Sequence, residues 1–168
     1  PPKLAPIQVV IVPIYKGNKE FEEVDIVAKQ IEQKLKSKGI IVKYDNRDTH
    51  KPGFKFSEYE LKGVPIRIAI GPRDVKNKSL EIARRDTLTK EFIPQENIEE
   101  IVENLLTEIQ KNIYKKSFDF RSNNTNKVDS YNEFKEIIEE KGGFVLAHWD
   151  GTAESEQKIK DETKATIR

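Results

Sequence analysis

Between Gln8 and Ile14 the chain is almost continuously apolar, through Val9, Val10, Ile11, Val12 and Ile14. A strand wetted on one face would alternate apolar with polar residues. This run does not, so it reads as a strand buried on both faces of a helix-covered sheet, and it is expected to be the central one. From Glu20 to Ser37 the apolar residues Val24, Val27, Ala28, Ile31 and Leu35 fall at helical spacing, and Gly39 supplies a C-terminal stop. Ile40 to Tyr44 then begins a second strand, giving a strand, helix, strand unit with a right-handed crossover. The class implied is α/β.

The rest of the chain extends this pattern. Asp45 to Phe56 opens with charge and carries Pro52-Gly53, which suggests a loop at the C-terminal end of the second strand, where open α/β sheets tend to hold ligands. Phe54 to Lys62 supports a short helix ended by Gly63. Ile66, Ile68 and Ile70 alternate with Arg67 and Ala69 as a strand, terminated by Gly71-Pro72. Leu80 to Arg84 and Thr87 to Ile93 read as two further strands. Asn97 is placed to cap a long helix with the stripe Ile98, Ile101, Val102, Leu105, Leu106, Ile109 and Ile113. The polar stretch within Phe118 to Asn126 suggests a boundary, giving a domain over 1–120 and a small α+β extension over 121–168. In that extension Ser130 to Lys141 and Ala153 to Thr163 read as helices, around the apolar Phe144 to Ala147.

Length and charge narrow the function. With 168 residues there is room for one substantial core and a satellite. Lys and Arg number 30 against 29 Asp and Glu, so any nucleic-acid site must be a local patch, not a global excess of positive charge. Cysteine is absent, which removes disulfides and thiolate metal sites and fits a reducing, cytoplasmic setting. No apolar run approaches the roughly 20 residues of a membrane span. The chain opens on Pro1, contains no Met, and stops at Arg168 as an extended apolar pattern begins, so a piece of a longer protein is expected.

The local patch is found between Asp45 and Arg85. Arg47, Lys51, Lys55, Arg73, Lys76, Lys78, Arg84 and Arg85 gather around loops and strand ends, with Phe54, Phe56 and Tyr59 interleaved. Cations neutralise phosphates, and aromatic or guanidinium planes stack on unpaired bases at roughly 1–3 kcal/mol per base. A carboxylate such as Asp48 or Asp74 accepts from guanine N1 and N2 on the edge exposed in RNA loops. A structural reading stands beside each: in a chain with 35% charged residues a basic cluster is ordinarily a solvated face, and aromatics at near-helical spacing are ordinarily core. Asp48 has a turn to cap, Asp74 an Asx-turn to form, and Arg84 a carboxylate to pair with.

The run Pro52-Gly53-Phe54-Lys55-Phe56, then Glu58 to Pro65, then Gly71-Pro72-Arg73-Asp74 closely resembles prolyl-tRNA synthetases of the archaeal and eukaryotic type. The likeness extends upstream through Leu4 to Pro13 and downstream through Arg84 to Thr87, Gly142-Gly143-Phe144 and Lys164 to Arg168. It implies a mixed-sheet class IIa anticodon-binding domain flanked by helices, followed by a truncated C-terminal extension. Proline anticodons end in two guanines. By position within the motifs, the resemblance assigns base reading to Arg47, Asp48, Asp74 and Arg84, with Lys51, Lys55 and Arg73 as phosphate or supporting contacts and Phe54 beside them.

The same resemblance implies that chemistry belongs to a parent enzyme, which uses ATP and magnesium to join proline to tRNA. No catalytic motif and no Gly-rich phosphate loop occurs here, so the piece alone is expected to be inactive. Some relatives bind zinc through cysteines in the extension. Here the corresponding stretch, Ala147 to Glu154, offers His148 and no thiolate, a poor structural zinc set. The expected partners are proline tRNA, the parent's catalytic domain and, in the parent, a second copy in a homodimer. The rival readings are an accessory binding module of the same fold, and a supporting or dimerisation segment that reads no tRNA.

Overall fold

The computed structural model describes all 168 residues, which form two compact units, Pro1–Tyr114 and Lys115–Arg168. The first is built on β1 (Val9–Pro13), β2 (Val42–Tyr44), β3 (Ile66–Ile70), β4 (Ser79–Arg84) and β5 (Lys90–Pro94) in the order β2-β1-β3-β4-β5. β1 pairs in parallel with β2 and β3, whereas β4 runs antiparallel to both β3 and β5. All five residues of β1 are buried, as its unbroken apolar run requires.

Helices α1 (Asn18–Ser37) and α4 (Ile98–Asn123) supply Val24, Ala28, Ile31, Leu35, Ile98, Val102 and Ile109 to the main core, against Val9, Ile11, Ile66, Ile68 and Leu80 of the sheet. Each such buried valine, leucine or isoleucine side chain contributes about 1.5–3 kcal/mol. Helix α2 (Pro52–Leu61) closes a smaller cluster, Val10, Val12, Tyr59 and Val64, with Phe56 packed against it. The alternation in β1 thus sends Val9 and Ile11 to one cluster and Val10 and Val12 to the other.

Several boundaries differ from the sequence expectation. α2 starts at Pro52, inside the expected loop, because proline suits the first helical turn, where its missing N–H costs nothing. Gly71-Pro72 does not simply end β3. It starts the short α3 (Pro72–Asn77), with Pro72 at the first turn and Asp74 Oδ2 accepting from Gly71 N at 2.8 Å. β5 begins at Lys90, and the Thr87–Thr89 turn carries Leu88 at φ 59°. α4 runs on to Asn123, through much of the polar stretch where a break is expected.

In the second unit β6 (Thr125–Lys127) and β7 (Phe144–Leu146) form a parallel pair, with α5 (Tyr131–Glu140) and α6 (Ala153–Thr163) as its helices. Gly143 makes this pairing possible. Its φ is +90°, and a Cβ there would lie 2.6 Å from the backbone oxygen of Asn124, which itself accepts from Phe144 N at 2.8 Å. Gly143→Ala is therefore expected to destabilise this unit by about 1–3 kcal/mol or more, the cost of a non-glycine residue in that region plus the backbone shift. Fluorescence of Trp149, which lies in this unit, is the measurement; an unchanged unfolding midpoint would refute the expectation.

Candidate nucleic-acid interface

Because β1, β2 and β3 are parallel, their C-terminal ends share one edge of the sheet. The segment after β2 leaves that edge from Asp45, whose N–H donates to Ile11 O at 2.9 Å and whose carboxylate is 1% exposed. Arg47 grips it twice, Nε to Oδ1 at 2.8 Å and Nη2 to Oδ2 at 2.7 Å, and Arg47 N donates to Oδ1 at 3.2 Å. Lys55, 2% exposed, sits 3.7 Å from the same carboxylate and donates to the carbonyl oxygens of Asp45 and Arg47. Arg47 Nη2 also reaches Glu58 Oε2 of α2 at 2.7 Å, and Glu58 in turn receives Lys62.

Burial alone would raise the Asp45 pKa. The hydrogen bonds from Arg47 and the charges of Lys55 and Arg47 outweigh it and hold the carboxyl at about 2. Tyr59 is pushed up to about 12, by burial first and then by the charge of Asp45. Burial lowers the Lys55 ammonium from its usual value, against the pull of Asp45. The cluster works as a clamp on residues 45–58.

Two residues that the resemblance assigns to RNA have partners within the protein. Lys55 is buried and spends its donors on the loop backbone. Arg47, its side chain 42% exposed, has its guanidinium held between Asp45 and Glu58 and shapes the loop. Asp48 and Lys51 remain exposed beyond the clamp. Phe54 is 53% exposed and not part of the core; its ring stacks on His50 with centroids 4.4 Å apart. Arg73 is exposed on α3, at the same sheet edge, while Asp74 caps Gly71.

Arg84 lies elsewhere. It pairs with Ile66 at the start of β3, so it sits at the opposite edge, a strand's length or roughly 13 Å from the β3 C-terminus. Its guanidinium takes Asp86 through Nε and Nη2 at 3.1 and 3.0 Å and Glu108 of α4 at 3.1 Å, while Asn112 reaches Asp86 at 2.6 Å. Those bonds tie the β4–β5 turn to α4 and realise the structural alternative that the sequence left open for Arg84.

The face of the sheet packed by α2 holds a further feature. α2 does not cover all of β3, β4 and β5, and a cleft of ≈ 210 Å³ opens there, lined by Phe56, Tyr59, Glu60, Arg67, Arg85 and Leu88 among others. Arg67 lies over Phe56, with its guanidinium carbon 3.6 Å from the ring centroid, and donates to Glu81 at 3.2 Å. Lys90 stands 3.8 Å from Glu81, and Arg85 donates to the Glu60 carbonyl at 2.8 Å. Leu88 and Phe92 are 74% and 70% exposed on this side. Cationic planes, carboxylates and aromatic surface in one open cleft are the components of single-strand RNA recognition.

The family model for the anticodon binding domain matches residues 8–105, most of the first unit. The chain belongs to that family. The model for the prolyl-tRNA synthetase C-terminal domain matches residues 131–168. The chain is also 62% identical to a proline–tRNA ligase of Porphyromonas gingivalis, 60% to one of Bacteroides fragilis and 55% to one of Flavobacterium psychrophilum, in each case over all 168 residues and 34% of the relative's length. The crystal structure of prolyl-tRNA synthetase from Cryptosporidium parvum, complexed with L-proline and AMP, superposes with a TM-score of 0.89 at 33% identity, over 98% of this chain and 35% of that one. The resemblance drawn from the Pro52 and Gly71 runs therefore holds across the chain, and the mixed sheet is that of this anticodon-binding domain.

Within such a domain, the cleft residues that sequence reasoning passed over are Glu60 and Arg67, beside Phe56, which it places in the patch. The signal was present. Arg67 is the one charged residue in Ile66–Ile70, and strand periodicity puts it on the face opposite the isoleucines. Phe56 and Glu60, four apart on α2, share a side of that helix and line the same cleft. In the second unit His148 Nε2 lies 3.9 Å from Asp129, both almost fully exposed, and no three potential metal ligands converge anywhere in the chain. No helix is long and apolar enough to cross a membrane.

Proposed function

We propose that this chain recognises the anticodon of proline tRNA as one part of a cytoplasmic, homodimeric enzyme that attaches proline to tRNA with ATP and magnesium. The chain spans about a third of the length of the relatives it matches, so the chemistry is assigned to the remainder and none to this piece. Residues 1–120 would form the anticodon-binding domain and 121–168 the extension. The observation that carries the reading is the cleft beside α2, where a guanidinium already lies on an aromatic ring next to two carboxylates.

Two groups of residues divide the work in this reading. Arg67, Phe56 and Glu60 in the cleft, with Asp48, Lys51, Phe54, Arg73 and Asp74 at the neighbouring sheet edge, meet the unpaired bases and flanking phosphates. Arg47 and Lys55 hold the loop, and Arg84 braces the far turn. Asp74 can serve RNA through the carboxylate oxygen that Gly71 does not use, since an ionised carboxylate has two oxygens to accept with.

The test is a titration of the proline anticodon stem-loop against one in which the two anticodon guanines are replaced. Loss of both guanines is expected to weaken binding by about 30-fold or more, at about 1–3 kcal/mol for each of the two base contacts. Equal affinity for the two RNAs at moderate salt would overturn the reading.

A further inference from the structure

We infer that His50, seated on Phe54, is a base-stacking residue for an anticodon-loop nucleotide, an inference that rests on the anticodon reading above. The two rings are stacked at 4.4 Å with 23° between their planes, and both residues are exposed, Phe54 at 53%. A core role is thereby excluded for either ring. One face of the imidazole meets Phe54, which leaves the other as a planar aromatic surface on which a base can stack.

The stack is preorganised. Phe54 belongs to the first turn of α2, so its backbone is fixed by the helix, with its N–H donating to Lys51 O at 3.1 Å. The preceding segment is fixed by the Asp45 clamp, in which Lys55 and Arg47 hold its start against β2 and α2. His50 Nδ1 is engaged by Thr49 Oγ1 at 2.8 Å, which orients the ring and leaves Nε2 as its remaining polar atom. A ring held in place before binding loses little conformational freedom when a base lands on it, so more of the stacking energy appears as affinity.

The neighbours match the ligand. Asp48 and Lys51 flank the stack as an exposed acceptor and an exposed cation, suited to a base edge and a phosphate on either side of a stacked nucleotide. Neither His50 nor Phe54 is needed by the clamp, whose members are Asp45, Arg47, Lys55 and Glu58.

The experiment uses the 168-residue chain with His50→Ala and His50→Tyr. The RNAs are the proline anticodon stem-loop and a set each carrying one abasic anticodon-loop position. His50→Ala is expected to weaken binding to the intact stem-loop about 5- to 100-fold, and His50→Tyr, which keeps a planar ring, by no more than about 3-fold. Against one abasic RNA, the one lacking the stacked base, the alanine variant and the unsubstituted chain should bind equally. The inference is overturned if His50→Ala binds the intact stem-loop like the unsubstituted chain, or if its loss is the same against every abasic RNA. It is also overturned if both variants unfold at a lower temperature than the unsubstituted chain, which would make the stack structural. Failure of the unsubstituted chain to discriminate the guanine-replaced stem-loop would instead overturn the anticodon reading itself.

Discussion

Asp45→Asn is expected to lower the stability of the first unit by about 3–5 kcal/mol, the usual cost of removing one partner from a buried ion pair. Asparagine keeps the shape and one acceptor but removes the charge. Lys55, 2% exposed, then has two carbonyl oxygens and no counter-ion, and Arg47 loses one of its two carboxylates. Lys55 cannot retreat to water without unravelling the turn into α2. Far-ultraviolet circular dichroism during chemical denaturation measures the effect, because the single tryptophan, Trp149, lies in the other unit. A midpoint equal to that of the unsubstituted chain would sink the clamp.

The same carboxylate predicts an acid limb. The folded-state pKa of Asp45 is about 2, against an ordinary 3.8, so the folded state favours the ionised form more than the unfolded state does. Its contribution is complete above pH 3.8 and is lost as pH falls from there through about 2, amounting to about 2 kcal/mol at 1.36 kcal/mol per pKa unit. In Asp45→Asn this part of the acid sensitivity should vanish, leaving a shallower decline over that window.

Arg67→Met is expected to weaken binding of the proline anticodon stem-loop about 10- to 100-fold while leaving the fold intact. Methionine keeps the aliphatic packing against Phe56 but removes the cationic plane, and Glu81 retains Lys90 at 3.8 Å as a counter-charge. The salt dependence separates two modes of contact. If Arg67 meets a phosphate, the slope of log affinity against log salt should fall by about one unit; if it meets a base, the slope should hold while guanine discrimination shrinks. Unchanged affinity at all salt concentrations would remove the cleft from the interface. Arg47→Glu is a poorer test, because it would set a third carboxylate beside Asp45 and Glu58 and disturb the loop whatever the RNA does.

The layered α/β architecture was legible because burial imposes periodicity. The unbroken run Val9–Pro13 and the stripes of α1 and α4 follow from which faces lie in the core. α3 and β6 were not legible, since six and three residues are too few to establish a period. The polar stretch from Phe118 does not break the helix for a related reason: the polar residues up to Asn123 lie on a helix end with no core to face, and polarity alone does not break a helix.

For the interface, sequence by itself determined the family and the segment, Asp45 to Arg85, in which cations, carboxylates and aromatics concentrate. Tertiary structure alone decided which of them are available. Arg47, Lys55 and Arg84 read as RNA contacts in the sequence, yet each is held by carboxylates or carbonyls brought to it by β2, α2 or α4. Arg67, unremarkable in sequence, meets Phe56 at 3.6 Å across a strand and a helix. The physical reason is that a charge's role depends on its partners in space, and a list of residue types carries the charge but not the distance.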